Sequence, residues 1–204
     1  MIAALTAAVA LQWVLIVSLA LMLVALMRQV GVLHERLGPV GALTLPGGPA
    51  VGAEPPKFEL TAIDGRSISI GSAAPRHSML IFFLSPSCPV CKSMLPLLKS
   101  MGREHESSLE IVLASDGDSD AQGRMVKEHG LAEFPLVLST ALGLAFQVSK
   151  LPYAVLINAS NRIAAKGLVN NREHLESLFE ARDRGVGSLQ ELRATSRRSS
   201  AGAL

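Results

Sequence analysis

Cys88 and Cys91 are the only thiols in the chain, and they stand in Ser85-Pro86-Ser87-Cys88-Pro89-Val90-Cys91-Lys92. Two sulfurs at this spacing can exchange disulfides, help to hold a metal, attach a haem or form a static cross-link. Structural zinc wants four ligands, yet no second Cys pair exists and His77, His105 and His129 are scattered without ligand spacing, so no metal is expected. Haem attachment needs His directly after the second Cys, where Lys92 stands. A static disulfide closing so short a loop removes little chain entropy. Exchange chemistry is the remaining reading, and it requires no bound cofactor. A thiol at the first turn of a helix faces unpaired backbone N–H groups and the positive end of the dipole, which favour its thiolate. Cys88 is therefore expected to be the nucleophile. Cys91, one turn further along, is expected to be more buried and to resolve a mixed disulfide by attacking Cys88 and releasing the substrate thiol. With no further cysteine, turnover calls for an external redox partner.

The elements that must position this pair follow from periodicity. Ser78–Leu84 (SMLIFFL) is a continuous apolar run, as in a strand buried on both faces, and it leads directly into the cysteines. Pro89–Arg103 carries Val90, Met94, Leu95, Leu97, Leu98 and Met101 at helical spacing, and Leu109–Ala114 reads as a second buried strand. Before them, Phe58–Ile63 and Ser67–Ile70 alternate around Asp64-Gly65, a hairpin signal. After them come a helix over Ala121–His129, a strand over Pro135–Leu138 and a weak helix over Ala141–Val148. A hairpin of Tyr153–Asn158 with Arg162–Lys166 follows, then a closing helix over Arg172–Arg182. The folded domain is thus expected over residues 57–182, with 183–204 a disordered tail. Asp116-Gly117-Asp118-Ser119-Asp120 begins like a calcium loop but has Ala121 where Gly is needed and Lys127 where Glu is needed. A turn with Ser119 or Asp120 capping the next helix is expected instead.

The remaining apolar content lies at the N-terminus. In 204 residues, 49% are hydrophobic and 18% charged, and no charge occurs from Met1 to Met27. About 20 apolar residues cross a bilayer, so this run is expected to span it and stop at Arg28. It is longer than a signal-peptide core of about 7–15 residues and has no basic residue before it, which favours an uncleaved anchor. Residues 1–37 are read as anchor and juxtamembrane segment, and 38–56, rich in Gly and Pro, as a linker that lifts the domain off the bilayer. Arg28 and Arg36 follow the helix, and the positive-inside rule taken alone would put the domain in the cytoplasm. The length of that domain weakens the rule, and a disulfide-handling pair is most useful in the periplasm, so an inner-membrane protein with a periplasmic domain is expected. A formal charge of +2, from 19 basic and 17 acidic residues, and only 4% aromatics exclude a nucleic-acid platform.

A hydrophobic strand, Cys88-Pro89-Val90-Cys91 and Pro96 eight residues after Cys88 resemble the thioredoxin superfamily. The resemblance implies an α/β thioredoxin-like fold, here with an N-terminal hairpin extension and a preceding single transmembrane helix. It implies that Pro89, Val90 and Pro96 shape the active-site helix. It also implies that Pro152, in Lys150-Leu151-Pro152-Tyr153, is the family's cis-proline and that the Leu151 backbone docks substrate. An ordinary trans proline at a strand start is the other reading of Pro152. The hairpin is also similar to peroxiredoxins, whose motif would need proline at position 81 and Thr or Ser at 85; Ser85 fits and Ile81 does not. Phe82 stands where many thioredoxins have a buried acid, and Ser87 where they have tryptophan, leaving no proton shuttle for Cys91.

More narrowly, the anchor, Arg28-Gln29-Val30-Gly31-Val32-Leu33-His34-Glu35-Arg36 and the Cys motif resemble the thioredoxin-like proteins encoded with methylamine dehydrogenase. That resemblance implies disulfide formation or isomerisation during maturation of the dehydrogenase small subunit, a client rich in cysteines. A reductant for cytochrome c assembly and a non-catalytic assembly chaperone are the alternatives.

Overall fold

The computed structural model describes residues 2–36, 47–72 and 77–183. The linker expectation over 38–46 and the tail expectation over 184–204 lie outside the described residues. Two units are distinct, Met1–Val40 and Gly41–Leu204.

The first unit is one helix, α1 (Ile2–Arg36). Its 35 residues rise about 50 Å at 1.5 Å each. Val9–Arg28 has mean hydropathy 2.6 with none of it buried, so the helix is long and apolar enough to cross a membrane. The backbone stays helical to Arg36, well beyond the apolar run.

The second unit is built on a five-stranded sheet. In chain order its elements are β1 (Phe58–Thr61), β2 (Ser67–Ile70), β3 (Ser78–Phe83), α2 (Pro89–Glu104), β4 (Leu109–Ser115) and α3 (Ser119–His129). Then come β5 (Leu136–Leu138), α4 (Thr140–Ala145), β6 (Tyr153–Ile157), β7 (Ile163–Leu168) and α5 (Arg172–Asp183). The sheet order is β5-β4-β3-β6-β7, with β3–β4 and β4–β5 parallel and β3–β6 and β6–β7 antiparallel. This is the α/β architecture the sequence resemblance implies.

The central strand explains its own composition. Successive side chains of a strand point to opposite faces. Leu80 and Phe82 enter one core with Met94, Leu95 and Leu98 of α2 and Leu175 and Leu178 of α5. Met79, Ile81 and Phe83 enter a second core with Ile68 and Ile70 of β2 and Leu142 and Phe146 of the α4 region. Both faces are covered, so no polar alternation survives in β3.

The N-terminal hairpin is fastened to the edge of this sheet. Ala62 bridges Val137, the Ile63 N–H donates to the Leu136 carbonyl, and Arg66 donates to the carbonyls of Glu133 and Ala132. β1 ends at Thr61, before the expected Ile63, because Asp64-Gly65 closes the turn by a bond from the Gly65 N–H to the Ala62 carbonyl.

Two local expectations differ from the structure. The cap of α3 is Asp118, whose carboxylate accepts from the N–H groups of Asp120 and Ala121, so the helix starts two residues early and encloses Ser119 and Asp120. Residues 47–56, expected as linker, are bonded to the domain. The Gly52 N–H donates to the Ile163 carbonyl, the Ile163 N–H to the Ala53 carbonyl and Lys166 Nζ to the Gly47 carbonyl. The Gly/Pro composition that forbids regular structure leaves backbone groups free to pair with β7.

Candidate active site

The end of β3 delivers the cysteine loop. Ser85 to Ser87 turn the chain, the Cys88 N–H donates to the Ser85 carbonyl at 3.1 Å, and Cys88 becomes the N-cap of α2 with Pro89 following it. Proline suits that position because its missing N–H has no helical partner there and its φ is already helical. The cap side chain is a thiol. Cys88 Sγ accepts from the Cys91 N–H at 3.2 Å, the bond a Ser or Asp cap would ordinarily make.

The two sulfurs occupy different environments. Cys88 is partly exposed and Cys91 is buried, and both are free thiols. Burial, then the hydrogen bond with the Cys88 sulfur, push the Cys91 thiol up to about 12, and the Ser85 backbone pulls the other way. An accessible sulfur that receives an N–H bond, above a buried one held in reserve, can attack a disulfide and then be attacked in turn.

The expected supporting residues have definite places. Pro89 and Val90 are exposed beside Cys88, Val90 at 41% of its surface. Pro96 lies inside α2 and removes one helical rung, because its nitrogen cannot donate to the carbonyl four residues back. The Leu151–Pro152 peptide is cis. Tyr153 opposite Phe83 fixes the register of β6, so Leu151-Pro152 enters the sheet at the end where β3 leaves for Cys88. Leu151 is 37% exposed, while Pro152 is buried and its carbonyl accepts from the Val169 N–H.

Beside this entry point is a cavity of about 390 Å³, bordered by Leu84, Ser115, Asp116, Leu144, Lys150 and Leu151. Its walls come from four separate segments, so no single stretch of the chain marks it. Among the described residues, no group of three or more His, Cys, Asp or Glu side chains is placed to hold a metal ion. Phe82 is fully buried in the same core cluster as Cys91, where a buried acid would stand in many thioredoxins.

Comparison with known proteins agrees with this geometry. The thioredoxin-like family profile matches residues 77–163, from the start of β3 through the cysteines to β7. The methylamine utilization protein MauD of Paracoccus versutus is 42% identical over 189 residues, covering 93% of this chain and 94% of that one. MauD of Paracoccus denitrificans is 43% identical over 190 residues, with coverage of 93% and 94%. This chain belongs to the MauD family.

The MauD likeness extends beyond the thioredoxin-like domain into the N-terminal helix, since it covers almost the whole chain. Among solved structures, the thioredoxin domain of a thiol-disulfide oxidoreductase from Bacteroides vulgatus superposes with a TM-score of 0.57 at 16% identity, covering 65% of this chain and 98% of that one. A thiol-disulfide oxidoreductase from Bacteroides fragilis gives 0.54 at 19% identity, covering 63% and 98%. The MauD-family chain is a thioredoxin-like oxidoreductase in its architecture and in the disposition of its two sulfurs.

Proposed function

We propose that this MauD-family protein is a membrane-tethered thiol–disulfide oxidoreductase in which Cys88 attacks and Cys91 resolves. The observation that carries the reading is the asymmetry of the pair: a partly exposed sulfur at a helix N-cap, accepting the Cys91 N–H, above a buried one. The Cys88 thiolate attacks one sulfur of a client disulfide, forms a mixed disulfide and expels the other client sulfur as a thiolate. Cys91, losing its proton to solvent or to the leaving thiolate, then attacks Cys88 Sγ. A Cys88–Cys91 disulfide forms, the second client sulfur leaves, and two electrons have passed to the client. Run backwards, the same steps oxidise a client dithiol. Either direction needs an external partner to reset the pair.

Leu151-Pro152 supplies the edge against which the client backbone docks, and Pro89, Val90 and Pro96 shape the helix that presents Cys88. The client is the methylamine dehydrogenase small subunit, in which the protein forms or isomerises disulfides. Support comes from the names of the relatives, methylamine utilization proteins, and from the partly exposed Cys88 beside the buried Cys91. Helix α1 tethers the protein in the inner membrane as a single pass, with the domain in the periplasm, where disulfides persist.

The test is a trap. Cys91→Ser in the full chain, expressed in a methylamine-grown host, is expected to accumulate a mixed disulfide on Cys88, seen on a non-reducing gel and identified by mass spectrometry. Recovery of the dehydrogenase small subunit supports the reading. Recovery of a cytochrome-assembly component redirects it to that pathway. No adduct, with Cys88 readily alkylated and the client still matured, would replace it with a non-catalytic chaperone.

A further inference from the structure

Two strand ends meet at the site, and each is held from outside its own segment. The end of β3 is pinned by buried donors: the Ser115 hydroxyl donates to the Leu84 carbonyl at 2.8 Å, and Gln122 Nε2 donates to that hydroxyl. The start of β6, where Leu151-Pro152 enters, is reached through the turn that ends α4. There the Gln147 N–H donates to the Leu144 carbonyl at 3.0 Å and the Val148 N–H to the Gly143 carbonyl at 2.9 Å. Gln147 sits in this turn at φ +51. A side chain makes the left-handed region costly, so such a residue persists where its surroundings fix it.

Part of those surroundings is the glycine-rich stretch before β1. Gly48 lies so close to the turn that a Cβ would collide with the Phe146 carbonyl, and a Cβ on Gly47 would come within 2.6 Å of Gln147 Oε1. Val51 and Val148 both pack against the core cluster that contains Phe146. The latch is Lys166 of β7, only 6% exposed, whose Nζ donates to the Gly47 carbonyl. A buried amine is costly without a partner, so Lys166 favours the stretch in place. From Phe146 the contact runs inward. Its ring centroid is 5.9 Å from that of Phe83, and the Phe83 ring is 6.4 Å from Tyr153, the residue after Pro152. Leu151-Pro152 is thus flanked by Val148 on one side and Tyr153 on the other, and both belong to the core against which Val51 packs.

We propose that Gly47, Gly48 and Val51, latched by Lys166, brace the Phe146–Gln147 turn and so position the Leu151-Pro152 edge for the client backbone. Lys166 is then a positioning residue for client binding, far from the sulfurs in sequence. The inference rests on the docking role proposed for Leu151-Pro152, and it gives a stretch of spacer-like composition a part in recognising the client.

The experiment uses the reduced full chain in detergent and two chromogenic substrates. One is an aromatic thiol disulfide-bonded to the central cysteine of a short peptide. The other carries the same thiol on N-acetylcysteine amide, which has no flanking backbone to dock. Cys88 attacks the cysteine sulfur of either substrate; a new S–S bond forms, the bond to the aromatic sulfur breaks, and that thiolate leaves with the electron pair. Cys91 then attacks Cys88 Sγ, and the substrate cysteine leaves as a thiolate. The protein dithiol is oxidised by two electrons and the substrate disulfide is reduced to two thiolates.

Wild type is expected to take the peptide with the lower KM. Gly48→Ala is expected to raise that KM between about two- and thirtyfold with kcat kept, the span of groups that act through a packed network. The N-acetylcysteine substrate is expected to react as with wild type, since the N–H that Cys88 Sγ accepts comes from within α2. Gly52→Ala is the control. Its φ is +84 with open space for a Cβ, so it bears the same backbone cost on the same stretch without lifting it off the turn, and it is expected to keep both wild-type KM values. Lys166→Met removes the latch, keeps an unbranched apolar side chain and is expected to act in the direction of Gly48→Ala; it decides should Gly48→Ala fail to fold. A deciding variant whose peptide KM matches wild type would overturn the proposal, and so would equal slowing of both substrates, the mark of a merely loosened fold. Equal KM values for the two substrates in wild type would instead remove the docking role of Leu151-Pro152, and the brace with it. Thiolate release that persists in Cys88→Ser would remove the exchange chemistry itself.

Discussion

At the scale of the residue, a thiol held neutral by burial ties stability to pH with a definite sign. Cys91 is raised from 9.0 to about 12, chiefly by burial, so the folded state holds this proton more tightly than the unfolded chain does. The resulting stabilisation is fully present below about 9 and is lost as pH rises through the folded value near 12. Reduced protein is therefore expected to lose stability over that window more steeply than Cys91→Ala, which has no proton to lose there. Denaturant unfolding at a series of pH values measures the two slopes, and parallel slopes would show that Cys91 is not the group responsible. The cysteines themselves were legible from type and spacing alone. Ser115 and Gln122 were not, because a serine ending a strand and a glutamine on a surface-patterned helix carry no sign of what lies beneath them until β4 and α3 are folded against Leu84.

At the scale of the element, close approaches of backbone decide where glycine is needed. Gly71, just after β2, has φ +72, and a Cβ there would meet the carbonyl oxygens of Pro55 and Pro56 at 2.7 Å each. Gly65, in the hairpin turn, has φ +89 but open space around it. Gly65→Ala is expected to cost about 1–2 kcal/mol, the left-handed penalty alone. Gly71→Ala pays that penalty and must also displace backbone that is tied to the sheet, so its loss is expected to exceed that of Gly65→Ala. Denaturant midpoints compare the two, and equal losses would show that the Pro55-Pro56 backbone yields freely. Elements with a clean period, β3 and α2 above all, were read correctly from the sequence because both faces of one and one face of the other are apolar. The pairing of residues 47–56 with β7 escaped that reading, since it is made by backbone groups that any residue carries and by a lysine, Lys166, whose partner lies far away in the chain.

At the scale of the whole molecule, the orientation of the apolar helix decides which side of the membrane carries the chemistry. The charges flanking the apolar helix, Arg28 and Arg36, argue for the cytoplasm, and the presence of a partly exposed exchange thiol argues for the periplasm. A membrane-impermeant thiol reagent added to cells with a permeabilised outer membrane is expected to label Cys88 of the reduced protein without lysis. Labelling only after the inner membrane is broken would reverse the orientation. Fractionation is expected to keep the chain with membranes through a high-salt wash, because a helix of mean hydropathy 2.6 is held by burial of apolar surface and not by charge.

The sequence by itself determined the two reactive sulfurs, the helix that carries them, the strand that feeds them and the apolar N-terminal helix. These are local consequences of residue type and of a period of 3.6, of two, or of none. Only the tertiary structure decided the cavity beside Leu151, the bonding of residues 47–56 to β7 and the chain of donors from Gln122 through Ser115 to the Leu84 carbonyl. Each of those depends on groups far apart along the chain, joined by hydrogen bonds and exclusion of water that exist only once the sheet has formed between its helices.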